Sequence, residues 1–498
     1  KENTKIYSGM KVSEAKEKVK NDLIKNNKAS IMFETSRKAI SRSGGKIIVA
    51  ILDDQWFVDF NAMGWKELAY NCLKKIELMP ESMRKQFEDT FDWLDKRPCV
   101  RKRGLGTKFP FNDQWVIESL SDSTIYMTLY TINNIIRKNK LKRENLNHHF
   151  FEYVYLGKGK LEEISKKTKI KESVLKEIRN SFEYWMPNDH RHTFVLHLSN
   201  HLSFMIFAYA AIFQERYWPK KITFHGLVVS EGTKMSKSKG NVITLLQIKK
   251  NYGADVFRFY ITNSTNIEGI FDWKQQEAEN AKATIEKLYF TLVEIIKNRK
   301  KAKVKVKEIY TSKFNKIIKL ATERINNMKL REYNNLVVFE MLKLVKNARL
   351  VMNKNELKGL YNLIVEDWIK LISPICPHIS EELWEMLKKK SFVSLEKWSK
   401  ANEKKINEKL EKQENMIEQI INDINNISSI IVKKGKKISK SFIYILPNEK
   451  NVYMENINLI EKRTSLIINV FVVNDKNKYD PENKARKAKP GKPAIYLE

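Results

Sequence analysis

The run Lys234-Met235-Ser236-Lys237-Ser238-Lys239-Gly240-Asn241 puts three ammonium groups and two hydroxyls into one short segment directly after an apolar stretch. Lysines act on phosphate as point charges, and preorganised cations act most strongly where charge develops during reaction. A loop of this make-up therefore suits a polyphosphate whose charge grows as pyrophosphate leaves. Its plain alternative is a solvated Lys/Ser turn.

The whole chain is basic. Across 498 residues, 92 Lys+Arg stand against 59 Asp+Glu, a formal net charge of +33. An excess of that size favours a polyanionic partner, because neutralising phosphates releases their counterions. With 11% aromatic and 42% apolar residues, the chain is no disordered basic tail. The three cysteines, Cys72, Cys99 and Cys376, lie far apart, which excludes a disulfide framework and a four-thiolate zinc site. The apolar stretches read as too short and too interrupted to span a bilayer, and no secretory pattern opens the sequence. The expectation is a cytoplasmic, multidomain protein with no membrane partner.

The elements that must hold the lysine loop follow from periodicity. Val12, Ala15, Val19, Leu23 and Ile24 recur at helical intervals, and Ile47–Leu52 reads as a strand. Residues 53–95 read as helical, Trp115–Leu120 as a buried strand, and Ile125–Ile136 as a helix. Residues 140–180 read as helical, 193–213 as one strongly apolar helix, and Ile222–Val229 as the strand feeding the loop. Strand and helix signals alternating across 100–260 suggest a doubly wound α/β sheet. Beyond about residue 275 helical periodicity runs to about 390, interrupted by a basic linker at 297–307 in which seven of eleven residues are Lys or Arg. A long amphipathic helix at 404–432 and strand-like runs at Phe442–Leu446 and Leu466–Val473 close the chain.

Lys-Met-Ser-Lys-Ser at 234–238 resembles the second signature of class I aminoacyl-tRNA synthetases, and the resemblance extends over nearly the whole chain. Cys99-Val100-Arg101, Gly104-Leu105-Gly106-Thr107, Trp115 and the run Glu118–Met127 resemble the leucyl-tRNA synthetases of archaeal and eukaryotic type. So do Asp53-Asp54-Gln55-Trp56-Phe57, Asn200-His201-Leu202-Ser203-Phe204 and Tyr252–Arg258. Trp368–Trp384 is similar to the helical anticodon-binding domain of the valine, isoleucine and methionine enzymes, and Lys489–Tyr496 resembles the archaeal-type C-terminus.

That resemblance implies α/β plus α architecture: the second half of a Rossmann-like catalytic domain, a helical bundle and a small α+β C-terminal domain. Its segments would be 1–45 (tail of an editing insertion), 46–243 (catalytic), 244–275 (connective), 276–400 (anticodon-binding) and 401–498 (tRNA-binding). It implies that ATP, with Mg2+, and leucine form leucyl-adenylate, and that the leucyl group then passes to leucine tRNA. Lys237 would stabilise the transferring phosphates with help from Lys234, and Met235, Ser236 and Ser238 would complete the ATP loop. Gly226 would let backbone approach the adenine, or would merely kink a strand.

Leu120, Ser123, Tyr126, His197 and His201 match positions that line the amino-acid pocket in the leucine enzymes. His197 and His201 share a face on a regular helix and also have the spacing of half a zinc site. No Cys or Glu completes such a set, so no metal site is assigned. Asp122 is equally suited to cap the helix after it. Two departures bear on the reading. Phe194-Val195-Leu196 stands where many members have Gly-Lys-Asp, and the first class I signature, His-x-Gly-His, occurs nowhere in the 498 residues. The expectation is a portion of the enzyme that is inactive alone and needs a complementing N-terminal half carrying that signature. The alternatives are a non-catalytic tRNA-binding protein and another branched-chain synthetase of the same class.

Overall fold

The computed structural model describes residues 4–41, 43–51, 54–235, 242–299, 306–433, 435 and 437–498. Ser236, Lys237, Ser238 and most of the basic linker at 297–307 therefore lie outside the described residues. The chain divides into two compact units. The first comprises Lys1–Glu77, Ser82–Asp189 and His197–Lys220; the second comprises Leu78–Glu81, His190–Leu196 and Lys221–Glu498.

In the first unit, Trp65–Lys75, Met83–Trp93 and Ser203–Ile212 are helices. Their apolar positions converge on Phe207, whose ring meets Phe60, Trp65 and Phe91 edge-on at about 5 Å. The Trp65 indole donates to the Phe207 carbonyl at 2.7 Å, so a polar atom taken into this core keeps a partner. Met127–Lys138 packs on Glu172–Trp185, burying Ile132, Ile135, Leu175, Ile178 and Phe182.

The expected strand at Ile47–Leu52 does not form: residues 47–51 are exposed and belong to no strand, and Leu52 is not described. The β-branched pattern is real, but among the described residues its only links to a neighbouring segment are the bridge Ile40–Lys46 and the Ile47 N–H, which donates to the Ala39 carbonyl at 3.0 Å. The Val12–Lys25 helix does form, with no buried residue. Trp115–Leu120 also differs from expectation. Val116–Ile117 pairs with Val100–Arg101, and Val116 bridges Lys108 on its other side, before Ser119 starts a helical turn. The 193–213 run is likewise not one regular helix. It begins as strand Arg191–Phe194, tightens to a 3₁₀ turn at Val195–His197, widens to a π turn at Leu198–Leu202 and becomes α-helical only at Ser203. Contrary to the sequence reading, Val195–Ile212 is long and apolar enough to cross a membrane by length and composition; half of it is buried inside the fold.

The second unit carries the parallel pairing. Arg191–Phe194 runs parallel to Lys221–His225 in a three-stranded sheet, and Val228–Ser230 runs parallel to Phe271–Trp273 in another. The apolar run 222–229 is thus two strands broken at Gly226-Leu227, and the described strands form sheets of two and three rather than one wide sheet. Helices Gln275–Asn298, Glu308–Asn326, Met341–Val351, Lys354–Ile372 and Pro377–Met386 share one core with Phe259, Phe271 and Trp273. Asn353 and Glu356 cap the fourth of these reciprocally, and Pro377 opens the last. The buried Trp368 indole donates to the Val337 carbonyl at 2.7 Å, within the π turn at Asn335–Glu340.

The C-terminal strand Lys440–Ile445 lies between Ile467–Val472, parallel, and Ala494–Leu497, antiparallel. The helix Glu408–Lys433 covers it with Ile417, Ile420, Ile421 and Ile424. Segments 276–400 and 401–498 belong to one compact unit. Glu418 ties them together, accepting from Lys343 at 2.7 Å and from Arg463. Burial raises the Glu418 carboxyl, but these cations outweigh it and hold the group below the ordinary carboxylate value.

A carboxylate with a depressed folded-state pKa contributes stability above its unfolded pKa, and that contribution disappears as pH falls through the folded pKa. Glu418→Gln is therefore expected to cost about 2 kcal/mol near pH 7, the range of hydrogen bonds to charged groups, and little near pH 3. Urea unfolding at the two pH values checks this, and an equal loss at both would contradict it.

Candidate functional site

The base of the lysine loop is a tight hairpin in the second unit. Val229 and Ser230 pair with Lys234 and Thr233, and Glu231 and Gly232 form the two-residue turn with φ of 48° and 73°. Two successive positive φ values are those of the hairpin turn whose twist matches its strands, and they favour Gly at the second position. The Gly232 N–H donates to Asp272 Oδ1 at 3.0 Å and the Glu231 N–H to the Trp273 carbonyl at 3.1 Å. Both tie the turn to the parallel strand beside it. Lys234 is exposed and Met235 half-buried where the described chain stops before Ser236.

Upstream, Gly226 sits where the strands separate, and its N–H donates to the Ile267 carbonyl at 3.0 Å. A Cβ there would lie 2.1 Å from the Gly269 carbonyl oxygen and 2.8 Å from that of Glu268. The close approach is therefore made by the chain's own turn at residues 266–269. Gly226 also borders a cavity of about 160 Å³ lined by His192, His225, Thr265, Asn266 and Phe271. Usual small-molecule sites hold about 300–1,000 Å³, so this one takes at most a base-sized part of a nucleotide.

Beside the cavity, the Thr223 hydroxyl lies 2.7 Å from both His190 Nε2 and His192 Nδ1. The His225 ring stacks on Phe194 at 5.5 Å. Desolvation, with His225 and His190 close by, holds His192 below the ordinary imidazole value. Phe194 thus replaces the expected Gly-Lys-Asp wall with an aromatic surface, while Leu196 is exposed. Sequence reasoning missed this histidine group; its one signal is the strand alternation that sets His190 and His192 on one side.

Four of the residues expected to line an amino-acid pocket lie together in the first unit. Ser123 Oγ lies 3.0 Å from His201 Nδ1, and the Tyr126 ring stands 6.2 Å from the His201 ring and edge-on to Tyr130 at 5.5 Å. Leu120 lies one turn earlier, its carbonyl accepting from Ser123 Oγ at 3.3 Å. The residue that fixes this turn is Glu118, which the sequence reading placed in a buried strand and in the resemblance without a role of its own. Its carboxylate accepts from the N–H groups of Leu120 and Ser121 at 2.9 and 3.3 Å, capping Ser119–Asp122.

Asp122 caps no helix: it is the last residue of that turn and accepts from Thr107 Oγ1 at 3.3 Å. His197 and His201 do not share the face of a regular helix. His197 ends the 3₁₀ turn, exposed, and His201 lies half-buried in the π turn. Among the described residues they belong to no metal-binding cluster.

Two larger cavities lie in the helical part of the second unit. One of about 530 Å³ is strongly basic, lined by Lys287, Lys343, Lys346, Arg349 and Arg463; another of about 650 Å³ includes Arg324, Arg331, Glu332 and Asn335. Phe339 lines both. Cations around an aromatic ring are the chemistry of a nucleic-acid surface.

Gly226→Ala is expected to destabilise the second unit by about 1–3 kcal/mol, the usual penalty of forced overpacking, because its methyl meets backbone that cannot step aside. Thermal unfolding of the variant checks this, and an unchanged midpoint would show that the turn at 266–269 yields freely.

Comparison with known proteins shows the family of the chain. Residues 3–272 match the family described as tRNA synthetases class I (I, L, M and V), and 307–442 match the anticodon-binding domain of tRNA ligase. The chain is 43% identical over 434 residues to the leucine–tRNA ligase of Staphylothermus marinus, covering 86% of this chain and 45% of that protein. It is 36% identical to that of Methanocaldococcus jannaschii and 34% identical to that of Archaeoglobus fulgidus, in each case over 100% of this chain and 58% and 57% of the relative. It thus spans about half the length of the curated relatives it matches.

Proposed function

We propose that this chain, which belongs to the class I tRNA synthetases of the isoleucine, leucine, methionine and valine group and to their archaeal leucine type, supplies the leucine pocket, the lysine loop and the tRNA-binding surfaces of a leucine–tRNA ligase. The reaction joins leucine to ATP with loss of pyrophosphate and then transfers the leucyl group to the terminal adenosine of leucine tRNA. No covalent enzyme intermediate is required, so positioning and electrostatics carry the catalysis. The observation that carries the leucine reading is the Glu118-capped turn that joins Ser123 to His201 beside Tyr126. The run forming it is the one specific to the leucine enzymes. It favours the leucine ligase over another branched-chain synthetase, and the retained lysine loop favours a ligase over a non-catalytic RNA-binding protein.

In this reading Lys237, with Lys234, bears on charge that appears only as pyrophosphate departs. Met235, Ser236 and Ser238 shape the loop, and the rigid hairpin at Glu231-Gly232 aims it. ATP enters with Mg2+ as substrate, its base directed to the cavity beside Gly226. Leu120, Tyr126 and His201 wall the leucine side chain, with His197 at the rim. The second half of a Rossmann-like catalytic domain then ends near residue 243, and 244–275 connects it to the anticodon-binding bundle. The relatives' remaining length, in the same polypeptide or another, would bring the His-x-Gly-His signature to the opposite side of the ATP. The exposed apolar residues Ile47, Ile48, Val49 and Ile51 suit burial against it. A cytoplasmic location accompanies this reading.

The 498 residues alone are expected to give no leucine-dependent pyrophosphate exchange, since losing even one preorganised donor costs about 10²–10³-fold. With the complementing half restored, Lys237→Ala should lower kcat far more than it raises the leucine KM, and Tyr126→Ala should mainly raise KM. Exchange by the chain alone at the rate of a full enzyme, or equal effects of both variants on both constants, would refute the assignment.

For RNA, affinity should fall steeply with salt, each neutralised phosphate contributing about 0.7–0.9 of slope. Replacing Lys484, Lys487, Lys489 and Lys492 by Ala should selectively remove a preference for tRNAs with a long variable arm. Filter binding of long-arm and short-arm tRNAs checks this, and an unchanged preference would leave only the electrostatic component.

A further inference from the structure

Asn147-His148-His149-Phe150-Phe151-Glu152 opens a helix in the first unit. Asn147 Oδ1 accepts from the Phe150 N–H at 3.3 Å, so the helix begins at His148. The α turn His148–Phe151 passes directly into a π turn at Glu152–Leu156. His148 and His149 stand four and three residues before Glu152, the two spacings that bring side chains together on a helical surface. Both imidazoles therefore converge on one carboxylate. Their ring centres are 3.8 Å apart, His149 Nδ1 lies 3.7 Å from Glu152 Oε2, and one ligand atom from each of the three residues lies within 4.8 Å of the others. None of the three belongs to the pocket around His201.

The geometry points to a binding site for one divalent transition-metal ion, of the zinc type, held by His148, His149 and Glu152. Two imidazoles and a carboxylate suit Zn2+, Ni2+ or Cu2+, whereas Mg2+ prefers all-oxygen surroundings. Around a tetrahedral zinc with ligand bonds near 2.0–2.1 Å, donor atoms stand about 3.3 Å apart. Small rotations of partly exposed side chains close the present spacing to that value. Three protein ligands leave the fourth position to water or an outside ligand, and an ion held there clips the first helical turn to the π turn that follows.

The Lys167 ammonium opposes the ion. Its charge bears on His149, and its carbonyl accepts from Asn147 Nδ2 at 3.1 Å, which fixes that end of the Leu161–Thr168 helix beside the site. Removing the ammonium alone must therefore strengthen the site without touching a ligand.

The test is calorimetric titration of the metal-free full chain with Zn2+, with Co2+ absorption as a coordination probe and Mg2+ as competitor. One Zn2+ per chain is expected, not displaced by excess Mg2+, together with a low-coordinate cobalt spectrum. His148→Ala and Glu152→Gln should each weaken Zn2+ binding by about tenfold or more, the least that even an outer partner is worth to a metal site. Lys167→Gln should tighten it. Circular dichroism identifies any variant that has lost its fold, and Lys167→Gln supplies a gain that misfolding cannot mimic. Absence of Zn2+ binding, or binding indifferent to all three substitutions, would overturn the proposal.

Discussion

The backbone of Gly226 packs against the turn at residues 266–269 with no room for a side chain, and the arrangement of the lysine loop depends on that contact. It lets Val228–Ser230 lie parallel to Phe271–Trp273. Those two strands in turn hold the Glu231-Gly232 turn through Asp272 and Trp273. A cationic loop serves phosphate chemistry best when its origin is fixed, because preorganisation is what makes fixed charges effective. Here the origin is fixed by backbone contact and hydrogen bonds, and Lys234, the last lysine described, is exposed.

The same strand pair connects the loop to the helical bundle. Phe271 and Trp273 belong to the core that includes Trp368, Tyr333 and Leu383. Asp255, almost fully buried, accepts from the His378 and Ile379 N–H groups at the start of the Pro377–Met386 helix. Arg258 donates to the Pro374 and Ile375 carbonyls just before it. A carboxylate at a helix N-terminus and a guanidinium on free carbonyls satisfy groups the helix itself cannot pair. The segment after the lysine loop is thereby bound to the bundle by directional bonds as well as by apolar burial, so the basic cavity on the bundle and the strands at the base of the loop share one compact unit.

Much of this was legible from residue order, and the failures have physical causes. Amphipathic stripes such as Ile417, Ile421 and Ile424 translate directly into a buried face, as do the strand runs at 440–445 and 467–472. The lysine loop was located by its own chemistry, although its central residues lie outside the described set. What residue order hides is pairing and capping. Ile47–Ile51 has the residue types of a strand, but its pairing ends at the Ile47 N–H bond to Ala39. At Trp115–Leu120, apolar content suggested extension, yet the Glu118 carboxylate takes two backbone N–H groups and turns the chain. The apolar run at 195–212 hides two changes of helical pitch, so His197 and His201 sit in turns of different pitch. Ser123 and His201, 78 residues apart, were placed in one pocket by resemblance alone, and the fold joins them in one hydrogen bond.

Amino-acid discrimination bears most directly on the central claim, that this chain contributes a leucine-shaped pocket. The measurement is calorimetric binding of non-hydrolysable leucyl-, isoleucyl- and valyl-adenylate analogues to the chain assembled with its complementing half. Branch position and one methylene are worth about 1–3 kcal/mol in a fitted apolar pocket, so the leucyl analogue should bind about tenfold or more tightly than either other. Equal affinity for the three analogues, or a preference for the isoleucyl one, would contradict the account.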